Sequence, residues 1–69
     1  MSPNCIRLDA PVLFSEATGT VVVYPDYKAA IEAFDADLDA WDYAGHWGIF
    51  LREFPFETYK WRIKFHGGE

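Results

Sequence analysis

Hydrophobic and polar positions change period several times along this chain, and each change marks an element. From Cys5 to Leu8 and from Val12 to Phe14, short apolar runs read as strand, interrupted by Asp9-Ala10-Pro11, where proline removes a ladder donor and suggests a bulge or an edge. Ser15-Glu16-Ala17-Thr18-Gly19 has the composition of a turn, and the β-branched run Thr20-Val21-Val22-Val23-Tyr24 predicts a strand, so a first hairpin is expected. Pro25 stops that strand, and Asp26 is placed to accept hydrogen bonds from the first free amides of a helix. Tyr27, Ala30, Ile31, Phe34, Leu38 and Trp41 recur every three or four residues, which gathers them into an apolar arc of about 100°. Alanine at positions 29, 30, 33, 36 and 40 adds helix propensity, and Gly45 is a natural left-handed stop, so the pattern predicts a helix over 27–44.

Residues 47–54 read as extended, with Pro55-Phe56 as a turn. The last segment alternates cleanly, Tyr59, Trp61, Ile63 and Phe65 on one side and Thr58, Lys60, Arg62 and Lys64 on the other, which predicts a strand. The order ββαββ implies an α+β fold: a two-layer sandwich with one helix on a four-stranded, mainly antiparallel sheet. In that arrangement the Phe34, Leu38, Trp41 stripe meets the Tyr59, Trp61, Ile63, Phe65 row, and the basic row faces solvent. One small domain is expected over 1–69, with 1–4 and 66–69 flexible.

Composition supports a folded chain, because 51% of the residues are hydrophobic and 19% aromatic. The aromatics crowd the second half beyond what one helix and one sheet face bury, so Trp47 in Gly45-His46-Trp47-Gly48 and Phe54 and Phe56 in Phe54-Pro55-Phe56 are candidate contact residues, for a partner or for a homodimer. The competing reading makes them core volume in a small protein. A single cysteine, Cys5, excludes an internal disulfide framework and reads as a small buried apolar residue. No apolar run reaches the roughly 20 residues that cross a bilayer, and Met1-Ser2-Pro3-Asn4 lacks the charged start of a signal peptide, so the cytoplasm is the expected location, with no membrane contact.

Charge changes the picture most. Eleven acids oppose six bases for a net charge of −5, which disfavours direct binding to nucleic acid. Glu32, Asp35, Asp37, Asp39 and Asp42 fall in eleven residues without a base, and carry as much negative charge as the net charge of the whole molecule. On the expected helix, Glu32, Asp35, Asp39 and Asp42 share an arc of about 80° and about 15 Å of axis, a ridge of like charges that costs stability. Such a ridge either keeps an apolar miniature soluble or imitates a row of phosphates before a basic nucleic-acid-binding protein.

No phosphate loop, paired-cysteine motif or serine elbow occurs, so no catalytic residue, metal or cofactor is assigned and a non-enzymatic role is expected. His46 reads as a cation at a helix end or a turn residue, and His66 as tail. Lys60, Arg62 and Lys64 lie opposite the aromatics, unlike the shared face of single-strand binders. The ending Gly67-Gly68-Glu69 resembles that of the prokaryotic ubiquitin-like modifiers known as Pup, over those three residues.

The acidic cluster with a compact aromatic core resembles, in general character, the small acidic inhibitors that phages deploy against bacterial defence, notably anti-CRISPR proteins. That resemblance implies a blocker that occupies the nucleic-acid groove of a basic partner, a CRISPR-Cas complex among the candidates, by charge mimicry through the five acids. The alternative is a general protein-interaction module or homodimer using the aromatic residues.

Overall fold

A β-branched run with no polar alternation suits a strand covered on both faces, and Thr20–Val23 is such a strand. In a computed structural model, which describes residues 7–55, 57 and 60–66, six elements follow one another: β1 (Pro11–Ser15), β2 (Thr20–Val23), α1 (Tyr27–Ala36), β3 (Asp42–His46), α2 (Trp47–Glu53) and β4 (Arg62–Phe65). One four-stranded sheet has the order β3-β1-β2-β4, with β1 antiparallel to both β2 and β3, and β2 parallel to β4. Side chains of the two central strands alternate between two clusters. Val12, Phe14, Val21 and Val23 pack with Trp47 and Phe50 of α2, while Leu13, Val22 and Tyr24 pack with Ala30 and Phe34 of α1. The fold is α+β as expected, but each sheet face carries its own helix, and Val12, Leu13, Val21 and Phe50 are wholly buried.

The expected first hairpin forms. Ser15 pairs with Thr20 across a turn closed by Gly19 N–H donating to the Ser15 carbonyl at 2.8 Å, and Gly19 takes a φ of 69°. Asp26 caps α1 as expected, its Oδ1 accepting from the Ala29 amide at 2.9 Å.

The helix expected over 27–44 ends instead at Ala36, where the N–H of Asp37 donates to the Phe34 carbonyl. No base lies in the last turn, and aspartates at 35, 37 and 39 set negative charge against the negative end of the helix. Residues 42–46 then join β1 as a strand, a long-range pairing that overrides local helix propensity. Residues 47–53, expected to be extended, form α2: Trp47, Phe50, Leu51 and Phe54 recur at helical spacing, and all pack on one sheet face. Carbonyls of the preceding 7–10 turn serve the first amides of α2, Trp47 N–H donating to Ala10 and Gly48 N–H to Leu8, both at 2.8 Å.

Pro11 opens β1 rather than interrupting a strand, and Arg7 and Leu8 lie in an exposed turn. Two of the three strand pairings are antiparallel, but β4 runs parallel to β2. Among the described residues the expected aromatic row does not join the α1 cluster. Trp61 joins the α2 face, Ile63 and Phe65 are exposed on an edge strand, and Leu38 is exposed in the loop after α1. His66, expected to be tail, donates its N–H to the Val23 carbonyl at 3.1 Å and stacks on Tyr24. Met1–Asn4, Cys5, Phe56, Thr58, Tyr59 and Gly67–Glu69 lie outside the described residues.

Candidate interaction surface

The five acids do not form a ridge on one helix. Glu32 and Asp35 sit on α1, Asp37 is its C-cap, Asp39 lies in the following turn and Asp42 opens β3. All five are exposed, so the acidic charge follows a surface segment that leaves α1, crosses the turn and enters an edge strand. The correction has one physical source, the early end of α1, and it leaves the charge density of the segment intact.

The aromatic residues assigned to a contact patch divide differently. Trp47 is 6% exposed and stacks on Phe50, ring centroids 5.9 Å apart and planes 6° from parallel. Phe54 packs against Phe14 and Phe50 at 5.1 and 5.2 Å, with Trp61 set edge-on to Phe14 at 5.6 Å. These rings build the α2 face of the core, where Trp47 is buried and Phe54 partly buried. Phe56 is outside the described residues.

A concave apolar surface lies on the other face of the sheet. A groove of about 300 Å³ runs between α1 and β3, lined by Leu13, Tyr27, Ala30, Ile31, Phe34 and Tyr43. It exists because α1 packs through its small side, Ala29, Ala30 and Ala33, onto Leu13, Val22 and Tyr24, which leaves Tyr27 and Ile31 leaning out towards β3. Tyr27, Ile31 and Tyr43 are each about half exposed, and at one end the Tyr27 hydroxyl is hydrogen-bonded to His46 Nε2. Partial burial raises the Tyr43 phenol above its ordinary value, so the hydroxyl keeps its proton at neutral pH.

Tyr43 reaches this face through a bulge. His46 opposes Pro11 and Gly45 opposes Val12, but the register then slips by one residue, so that Tyr43 opposes Leu13 and Asp42 opposes Phe14. Without the slip Tyr43 would fall opposite Phe14, on the α2 side. Gly45, with a φ of 89° and nothing within 4 Å of a Cβ placed on it, supplies the backbone turn.

Sequence reasoning did not find the groove. Its trace was the run of alanines at 29, 30 and 33 beside the bulkier Tyr27 and Ile31, which marks a helix with a small packing side and a larger rim. Among the described residues no three His, Cys, Asp or Glu side chains are placed to hold a metal ion, and no helix is long and apolar enough to cross a membrane. Comparison of the chain with protein-family models, with curated proteins and with solved structures gave no match.

Proposed function

We propose that this chain is a non-enzymatic binding protein that sets its acidic segment, Glu32, Asp35, Asp37, Asp39 and Asp42, against the basic surface of a nucleic-acid-binding protein and keeps nucleic acid off it. The observation that carries the reading is the exposure of all five acids on one continuous segment that contains no base. The local chemistry adds support: the carboxylates at the end of α1 oppose the helix dipole, and among the described residues none of the five makes an ion pair. Charge retained at a cost to the fold is the pattern of a surface kept for a partner. A CRISPR-Cas complex is one candidate target, and the bacterial cytoplasm is the setting that target implies.

The test captures partners from bacterial lysate on the immobilised native protein and on a variant carrying Glu32→Gln, Asp35→Asn, Asp39→Asn and Asp42→Asn, its fold checked by circular dichroism. The native chain is expected to retain a nucleic-acid-binding protein, to lose it near about 0.5 M salt and to lose it to added DNA or RNA, while the variant retains nothing. Equal retention of one partner by both proteins overturns the reading and leaves the acids as solubilising groups.

A further inference from the structure

We propose that the α1–β3 groove and the outer edge of β3 together receive an extended segment of a partner protein as an added strand, with apolar residues alternating with lysine or arginine. The inference goes beyond the acidic-segment reading, since it requires an apolar anchor and no nucleic-acid site on the partner. Three observations converge on it.

Among the described residues β3 pairs only with β1, so one side of the strand can offer its amides and carbonyls to another chain. An added strand places alternate side chains on opposite faces of the sheet. On the α1 face those side chains would stand beside Tyr43 and Ile31, over an apolar groove that no other helix covers among the described residues. On the α2 face they would stand beside Asp42, which the bulge places opposite Phe14. Apolar residues therefore suit one set of positions and bases the other, in a chain whose net charge of −5 favours a basic segment.

The other occupants fit less well. A small molecule takes its orientation from convergent polar groups, and this lining offers only two tyrosine hydroxyls, one already bonded to His46. A second copy docking through the same face would bring another net charge of −5 to the interface. The opposite sheet edge, β4, carries Arg62 and Lys64, whose charge would repel a basic segment.

The test titrates the full-length, isotope-labelled protein with a synthetic six-residue peptide of alternating arginine and isoleucine, read by NMR. Amide shifts confined to 42–46, methyl shifts at Leu13 and Ile31, and cross-strand contacts from peptide to β3 are expected. Ile31→Asp, at an exposed site, should weaken binding at least tenfold, and replacing the arginines of the peptide by glutamates should abolish it. Because Ile31→Asp keeps every acid, partner capture through the acidic segment survives it if only the strand reading fails. The proposal is overturned by an absence of binding at millimolar peptide, by shifts elsewhere, or by equal binding of the glutamate peptide. It is equally overturned if β3 shifts appear on simple concentration, if removal of Ser2–Ile6 changes the groove signals and first opens it to peptide, or if an apolar dye binds there and the peptide does not.

Discussion

Gly45 shows how one residue sets which side chain reaches a surface. Its φ of 89° is open to glycine and strained for other residues, and because nothing crowds its Cα the penalty for a side chain there is one of backbone conformation alone. Gly45→Ala should lower stability by about 1 kcal/mol, and Gly45→Asn by less, since asparagine tolerates positive φ better; urea denaturation measures both. If alanine costs nothing, the bulge does not depend on glycine and the aim of Tyr43 has another cause. Tyr24 makes a prediction with a sign. Burial raises its phenol above the ordinary 10.0, so below pH 10 both folded and unfolded states hold the proton and its contribution is level. Above that pH the unfolded chain ionises first, and stability falls as pH rises. Tyr24→Phe should therefore lose less stability than the native protein between about pH 9 and 11, as thermal melts across that window would show; parallel losses would mean that the phenol is not protected in the fold.

At the scale of an element, the early end of α1 and the formation of β3 are one event. The helix loses its last turns to carboxylates that oppose its dipole, and the strand gains a ladder with β1. Relief of that opposition should be measurable: Asp35→Asn is expected to stabilise the protein by about 0.3–1 kcal/mol, read as a higher urea midpoint at unchanged slope. A lower midpoint would give the carboxylate a structural task and weaken the case that it is kept for a partner. The elements that were legible in the sequence are those whose pattern has one cause. The β1–β2 hairpin follows from turn residues and β-branching, and the start of α1 from Pro25 and the Asp26 cap. By contrast, 47–54 contains both a short apolar run and helical spacing, and the choice between them was made by the aromatic cluster of Phe14, Phe50, Phe54 and Trp61, which assembles from distant parts of the chain.

Across the whole molecule, a net charge of −5 on 69 residues gives self-repulsion in the folded state, much of it concentrated between 32 and 42. Raising salt from about 0.02 to 0.5 M should increase the melting temperature by a few degrees, and the variant with four acids neutralised should show a flatter response. An equally steep response in the variant would locate the repulsion outside the acidic segment.

The sequence by itself determined an α+β chain with its first hairpin, the capped start of α1, a dense aromatic core and an acidic segment, because each of these rests on local spacing, composition or charge. The tertiary structure alone decided where α1 stops, that α2 exists, that β4 runs parallel to β2, and that Trp47 is buried and Phe54 partly buried while Tyr27, Ile31 and Tyr43 line a groove. Those outcomes depend on pairing and packing between residues far apart in the chain. A double-sided sheet can bury Val21 against one helix and Val22 against another, a division that a linear pattern of apolar residues does not specify.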